Sequence, residues 1–187
     1  DANGCTATTL LTLAQSPALT WTQNTATDIT CNGGIDGSIT TTATGGTGII
    51  NYNLQPTNQT NNTGLFTNLA ANTYTILATD ANGCTISTTL TITEPTLLSI
   101  TNITFTDPTC VPGNDGSMTI TASGGTLAYT YNIGGANQAN NVFANLGAGN
   151  YTITVTDANG CTATSVQTIT TPNAPTITSA LTTDANC

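Results

Sequence analysis

Apolar and polar residues alternate in short runs along this chain, which is the pattern of half-buried β-strands. A slip at Asn102 interrupts the first run of the second half, and a last run extends from Cys161 to Thr170. The apolar positions of the second half group as follows: Leu98 and Ile100; Ile103 and Phe105; Met118, Ile120 and Ala122; Tyr129, Tyr131 and Ile133; Val142, Phe143 and Leu146; Tyr151, Ile153 and Val155. This pattern predicts six or seven short strands.

The same pattern occurs more than once, because short markers return at nearly constant intervals. Asp-Ala-Asn-Gly-Cys occupies residues 1–5, 80–84 and 157–161, which are 79 and then 77 residues apart. A second marker, Asp-x-x-Cys, occupies 28–31, 107–110 and 184–187 with the same intervals. We therefore divide the chain into a last strand of a preceding repeat (1–16), two complete repeats (17–95 and 96–173) and the start of a following repeat (174–187). The two-residue difference falls between Tyr52 and Leu69, so we assign it to one loop region.

The turn residues in these repeats indicate the fold. Asn-Gly and Asp-Gly pairs between alternating runs favour tight hairpin turns. The predicted class is all-β: tandem immunoglobulin-like (fibronectin III/PKD-like) β-sandwich repeats of about 78 residues. In both repeats a Leu precedes by five residues a Tyr that opens a strand, Tyr74 and Tyr151. This spacing predicts a tyrosine corner, with an ordinary core tyrosine as the alternative.

Composition excludes several functions. Lys, Arg and His are all absent and the net charge is −9. Nucleic-acid binding needs cations to neutralise phosphates, and anionic membrane surfaces need them too. Without His the commonest general base is missing, so we predict that the chain is not an enzyme. No apolar run approaches the length of a membrane span, and we expect no membrane insertion.

The acidic residues recur at turns rather than within strands. The ordinary interpretation is turn chemistry, since Asp side chains bond to nearby backbone N–H groups. The alternative is Ca²⁺ bound by carboxylate oxygens. The candidates for that weak calcium site are Asp28, Asp36, Glu94, Asp107 and Asp115. No Asp-x-Asp-x-Asp spacing supports them, so the expected cofactor is none.

The markers together resemble a known family. The run Cys-x-x-Gly/x-Asn/Ile-Asp-Gly-Ser, then Gly-Gly-Thr, Tyr-x-Tyr and Tyr-Thr-Ile-x-x-Thr-Asp-Ala-Asn-Gly-Cys-Thr is similar to the SprB-type repeat of Bacteroidetes gliding-motility and cell-surface adhesins. The resemblance implies type IX secretion, an extracellular cell-surface location and a long filament-like adhesin. It implies no catalytic residues. The first repeat departs from the family pattern at Ile50-Asn51-Tyr52, where an aromatic-x-aromatic is usual.

Six cysteines at repeat positions in an exported chain predict disulfides. Three pairings are open. Pairing within a repeat joins Cys31 to Cys84 and Cys110 to Cys161, and leaves Cys5 and Cys187 to neighbouring repeats. Sequential pairing joins Cys5–Cys31, Cys84–Cys110 and Cys161–Cys187. Head-to-tail stacking of seven-strand sandwiches would instead bring Cys31 near Cys161. We favour pairing within repeats, because a duplicated unit should be self-sufficient.

The unguarded sheet edges and the few aromatic residues indicate which partners to expect. Sheet edges are usually guarded by Lys, and this chain has none. We therefore expect self-association or contact with neighbouring repeats of the same chain. A polysaccharide-binding or spacer array of a secreted enzyme is the alternative function. It would need surface aromatics, and the single Trp21 is better explained as a packing residue, since its counterpart in the second repeat is Ile100.

Overall fold

The computed structural model describes residues 2–6, 8–174, 176 and 178, and in them the regular structure is entirely β. The strands are β1 Thr20–Thr27, β2 Gly37–Thr44, β3 Asn51–Gln55, β4 Gln59–Asn61, β5 Leu65–Leu69, β6 Asn72–Thr79, β7 Thr85–Ile92, β8 Ser99–Thr106, β9 Gly116–Ser123, β10 Thr130–Asn132, β11 Val142–Leu146, β12 Gly149–Thr156 and β13 Thr162–Ile169. The chain divides into unit 1 (1–29 and 33–93) and unit 2 (30–32 and 94–187). Within the described part, no helix long and apolar enough to cross a membrane is present.

Unit 1 is a seven-strand sandwich. One sheet has the order β1-β2-β5 and the other β4-β3-β6-β7, with every pairing antiparallel. Burial alternates along β2, which directs Ile39, Thr41 and Ala43 inward. These residues join a core that also holds Leu54, Phe66, Leu69, Tyr74, Ile76 and Ile92. The division into three and four strands is that of an immunoglobulin-like sandwich, as the sequence predicted.

Unit 2 repeats this plan, but the segment that corresponds to the β3–β4 hairpin is shorter. Its sheets have the orders β11-β9-β8 and β10-β12-β13. The place of β4 is taken by a single bridge between Tyr131 and Gln138. The two-residue difference between the repeats therefore falls in the region where one hairpin is reduced. The core of this unit contains Leu98, Met118, Ile120, Tyr131, Leu146, Ile153, Val155 and Ile169.

The slip predicted at Asn102 is a β-bulge. The register of β8 against β9 shifts between Ile100 and Asn102, and that of β1 against β2 shifts between Trp21 and Gln23. An extra residue bends an edge strand and increases its twist, which blunts the edge. Trp21 packs against the core, with its ring centroid 6.2 Å from that of Tyr52. Trp21 is thus a packing residue.

Both tyrosine corners are present. The Tyr74 hydroxyl donates to the carbonyl oxygen of Ala70 at 2.9 Å, and the Tyr151 hydroxyl donates to that of Gly147 at 2.9 Å. Each bond fastens the loop before a central strand to the strand itself, which is the role of this corner in immunoglobulin-like folds. The corner interpretation of the Leu-to-Tyr spacing is confirmed over the ordinary core tyrosine.

One expected strand is missing. Residues 2–6 and 8–16 form no strand, although 1–16 was expected to be one. The equivalent β7 pairs with β6, whereas no described residue pairs with 2–6 or 8–16 in a sheet. Without a partner, the backbone groups of a strand have no ladder to join. The predicted start of a further repeat at 174–187 falls almost wholly outside the described residues.

Candidate functional site

The Asp-Ala-Asn-Gly-Cys marker of unit 2 is a closed turn between β12 and β13. The Oδ1 atom of Asp157 accepts hydrogen bonds from the backbone N–H groups of Asn159 and Cys161, each at 2.9 Å. The Asp157 N–H donates to the carbonyl oxygen of Cys161 at 2.9 Å. Gly160 has φ +87°, a left-handed conformation that glycine adopts without strain. The turn therefore holds Cys161 at a fixed place.

The second oxygen of Asp157 fastens this turn to the Gly-Gly-Thr turn. Its Oδ2 atom accepts from the Thr126 N–H at 2.9 Å, and the Ala158 N–H donates to the Thr126 carbonyl at 3.0 Å. A Cβ on Gly125 would lie 2.5 Å from the same Oδ2 atom, so glycine is required there. Asp157 is 6% exposed. Burial by itself would raise its pKa, yet the N–H donors of Thr126, Cys161 and Asn159 hold that pKa below the ordinary Asp value.

The linker before β8, residues 96–98, lies across the Gly-Gly-Thr turn. The Gly125 N–H donates to the Thr96 carbonyl at 2.7 Å, and Leu98 enters the core. A Cβ on Gly124 would overlap the Leu97 carbonyl, so glycine at position 124 allows the linker backbone to approach the turn closely. The linker thereby forms one wall of a groove beside Cys161.

A tripeptide from between β1 and β2, Thr30–Asn32, belongs to unit 2 and occupies this groove. Cys31 forms a disulfide with Cys161, with a Cα–Cα distance of 5.7 Å. The Asn159 side-chain amide donates to the Thr30 carbonyl at 3.1 Å, and the Asn32 side-chain amide donates to the Pro95 carbonyl at 3.0 Å. We call this set, the tripeptide with Pro95, Asn159 and Cys161, the clasp.

The clasp borders a cleft of about 310 Å³. Its lining residues are Cys31, Asn32, Pro95, Thr96, Leu97, Leu98, Gly125, Gly160, Cys161 and Thr162. None of these side chains is charged, and both cysteines are bonded to each other. The arrangement provides amide donors, backbone carbonyls and a covalent link. These groups suit the binding of a peptide segment.

The disulfide corrects the pairing that we favoured within repeats. The Asp28 carboxylate accepts from the Thr93 N–H at 2.7 Å, which places Cys31 near the end of β7, whereas Cys84 precedes its start. Eight residues of strand extend about 26 Å, and disulfide Cα atoms lie within about 7 Å. In unit 2 the Asp107 carboxylate accepts from the Thr170 N–H at 2.9 Å, which places Cys110 near the end of β13. Cys161 precedes the start of β13, so the length of that strand separates Cys110 from Cys161.

Sequential pairing is wrong for Cys31 and Cys161, because each is bonded to the other. Cys31–Cys161 is the link that head-to-tail stacking had suggested. Cys84 and Cys110 are exposed free thiols. Cys5 is exposed, and Cys187 lies outside the described residues.

Most of the candidate calcium ligands bond to backbone amides. Asp28 accepts from Thr93, Asp107 from both the N–H and the hydroxyl of Thr170, and Asp115 from both donors of Thr109. The structure does not bring Asp36 and Glu94 together with them: within the described residues no three His, Cys, Asp or Glu side chains form a group that could hold a metal. The expectation of no cofactor, with calcium as the weak alternative, stays a prediction.

The sequence reasoning missed Asn159 and Asn32. A signal for Asn159 was present, because Asn occupies the third position of the marker in all three copies, as Asn3, Asn82 and Asn159. The closed turn uses only the backbone of that residue. Its side-chain amide therefore donates elsewhere, to the Thr126 hydroxyl and to the Thr30 carbonyl, each at 3.1 Å.

Comparison with known proteins adds a family match. The SprB repeat model matches residues 23–59 and 102–137. No curated protein matches the chain. Among solved structures, the chain is similar to the C-terminal 282-residue fragment of intimin, crystallised with the intimin-binding domain of the translocated intimin receptor. The identity is 17%, the TM-score is 0.44, and the match covers 79% of this chain and 63% of that fragment. The SprB repeat model therefore matches once within each of the two sequence repeats.

Proposed function

We propose that this chain is a structural and adhesive repeat region of a large cell-surface adhesin or extracellular filament, and that it has no enzymatic activity. The observation that carries the proposal is the SprB repeat, found twice and built each time on a sandwich with its own core. Units that fold around separate cores can be multiplied without redesign, which is how a chain gains reach.

The chemistry of the surface supports an extracellular location. A disulfide persists in oxidising compartments and is rare in the cytosol, and Cys31–Cys161 is such a bond. The chain also offers no Lys or Arg to trypsin-like proteases. Both properties suit a protein displayed on the cell surface.

The clasp supports a mechanical role. Because Cys31 and Cys161 are 130 residues apart in sequence, tension applied to the two chain ends passes through the disulfide. The intervening residues then carry no load, and neither β2 nor β12 can be pulled out of its sheet by the chain ends. A region built this way resists extension, which is the property of a stiff stalk.

Surface labelling tests the proposal. Antibodies raised against the 187-residue chain should label intact, non-permeabilised cells that produce the parent protein, and removal of the region should reduce their attachment to surfaces. Labelling that appears only after permeabilisation would contradict the proposal. An unrelated periplasmic protein, probed on the same cells, controls for leakage.

A further inference from the structure

Unit 1 builds around Cys84 the same turn and the same linker contact that border the groove beside Cys161, and we call this surface the Cys84 groove. The Asp80 Oδ1 atom accepts from the Cys84 N–H at 2.8 Å and its Oδ2 atom accepts from the Thr47 N–H at 2.8 Å. In unit 2 the two corresponding bonds are each 2.9 Å. The thiol of Cys84 is therefore presented by the same turn, fastened in the same way, as the sulfur of Cys161.

The wall of this groove is equivalent as well. The Gly46 N–H donates to the Pro17 carbonyl at 2.7 Å, as Gly125 does to Thr96 at 2.7 Å. A Cβ on Gly45 would overlap the carbonyl of Ala18, just as one on Gly124 would overlap that of Leu97. The linker 17–19 thus lies where 96–98 lies in unit 2.

What differs is the occupant. Cys84 is exposed and carries no disulfide. The side-chain amide of Asn82 makes no hydrogen bond to any described residue, whereas its counterpart Asn159 binds the Thr30 carbonyl. The groove of unit 1 has the donor and the thiol of the clasp without the tripeptide.

The matching tripeptide is present elsewhere in the chain. Cys110 is the repeat counterpart of Cys31, and it is also an exposed free thiol. Asp107 fixes the preceding strand end against Thr170 as Asp28 does against Thr93. Asp115 additionally holds the Thr109 N–H at 3.0 Å. The segment Thr109–Val111 is therefore held at its base with its thiol exposed.

We propose that the Cys84 groove is a docking site for the Thr109–Val111 segment of a second copy of this chain, closed by a Cys84–Cys110 disulfide. The contact joins different surfaces of the two copies, so each added copy presents a further groove and a further segment, and the assembly grows head to tail as an open chain or a closed ring. The inference rests on the equivalence of the two grooves and not on the adhesin role.

The bond forms by thiol–disulfide exchange with a small disulfide such as oxidised glutathione. The Cys84 thiolate attacks the glutathione disulfide and releases one reduced glutathione. The Cys110 thiolate then attacks the mixed disulfide and releases the second. The two protein thiols lose two electrons, the glutathione disulfide gains them, and the two protons pass to the two glutathione thiolates that are released.

Two complementary variants test the pairing. Both carry Cys5→Ser and Cys187→Ser and keep Cys31 and Cys161. One adds Cys84→Ser and offers only Cys110, and the other adds Cys110→Ser and offers only Cys84. In a glutathione redox buffer we expect covalent heterodimers in the mixture, a ladder of oligomers from the chain that keeps both thiols, and few dimers from either variant alone. Mapping uses cleavage at Asp, since the chain lacks Lys and Arg.

Two matched variants separate docking from random oxidation. Thr89 lies exposed in the middle of β7, so Cys84→Ser with Thr89→Cys moves the thiol out of the groove and should not react rapidly with Cys110. Asn82→Ala, which keeps Cys84, should slow heterodimer formation about fivefold, the worth of one net hydrogen bond. Homodimers forming as fast as heterodimers, or a fully reactive Thr89→Cys variant, would overturn the inference. Either result leaves the surface labelling of the proposed function unaffected.

Discussion

Asp80 and Thr47 are 33 residues apart in sequence, yet the Asp80 Oδ2 atom accepts the Thr47 N–H at 2.8 Å, and Asp157 and Thr126 form the same bond in unit 2 at 2.9 Å. Two loops at one end of each sandwich are thereby fastened by a carboxylate. Asp80 is 4% exposed. This bond, together with those to Asn82 and Cys84, holds the position of each groove.

Substitution of Asp80 should lower the stability of unit 1 and disorder its groove. Asp80→Asn keeps the shape but leaves one oxygen for the three N–H groups that the carboxylate now serves. We expect a lower unfolding midpoint and faster amide exchange at Thr47 and Cys84. Thr89→Ala, on an exposed strand position, is the control and should change neither. An Asp80→Asn variant with wild-type exchange rates would contradict this account.

Removal of a tyrosine-corner hydroxyl should cost about 1 kcal/mol, the net worth of one hydrogen bond. Tyr74→Phe deletes the bond to the Ala70 carbonyl, and Tyr151→Phe deletes that to Gly147. The measurement is the free energy of unfolding in urea. Tyr131→Phe is the matched control, because the Tyr131 hydroxyl donates to none of the described residues. Equal losses in all three variants would show that the corner adds nothing specific.

Stability should fall in acid below about pH 4. The pKa of Asp80, Asp157, Asp28 and Asp115 lies below the ordinary value of 3.8. Burial alone would raise the pKa of Asp80 and Asp157, but several backbone N–H donors together outweigh it. The Thr93 N–H is the main cause at Asp28, and the Thr109 hydroxyl is the main cause at Asp115. A carboxylate with a lower pKa in the folded state stabilises fully above its unfolded pKa, and this stabilisation is lost as pH falls through the folded value. Urea unfolding between pH 7 and pH 2.5 should show a plateau and then a decline. The decline should be smaller in Asp80→Asn.

The disulfide should shorten the extension under force. If the chain is pulled from its ends, the residues between Cys31 and Cys161 are outside the load path, and reduction should release them. The separation of 130 residues corresponds to roughly 430–470 Å of extended chain. Single-molecule force spectroscopy, with and without reductant, measures this gain. A Cys31→Ser, Cys161→Ser variant should show the longer extension in both buffers, and no difference for the wild-type chain would contradict the load path.

Calcium should not change the unfolding midpoint. Both oxygens of Asp107 and of Asp115 already accept protein hydrogen bonds. Calcium requires six to eight oxygen ligands, and such a set is not assembled in the described part of the chain. Thermal melts in millimolar calcium and in chelator should coincide. A midpoint raised by calcium, and restored to the chelator value in Asp115→Asn, would revive the calcium site.

Much of each sandwich could be predicted from local pattern. The alternation of Met118 and Ile120 placed β9, and both residues are buried. The slip at Asn102 marked a bulge, and the spacing to Tyr74 marked a corner. Residues 2–6 and 8–16 form no strand, and alternation states which face a strand would bury but not whether a partner strand lies beside it.

The sequence by itself determined the repeats, the strand positions, the acidic turns and the tyrosine corners, because each depends on residues close together in the chain. The tertiary structure decided which cysteines pair. Cys31 and Cys84 belong to one repeat, but an eight-residue strand separates them by far more than a disulfide reaches. Only the meeting of distant turns and linkers could seat Thr30–Asn32 beside Asn159 and Cys161. A pairing set by which strand ends meet is a three-dimensional property, and no spacing along the chain contains it.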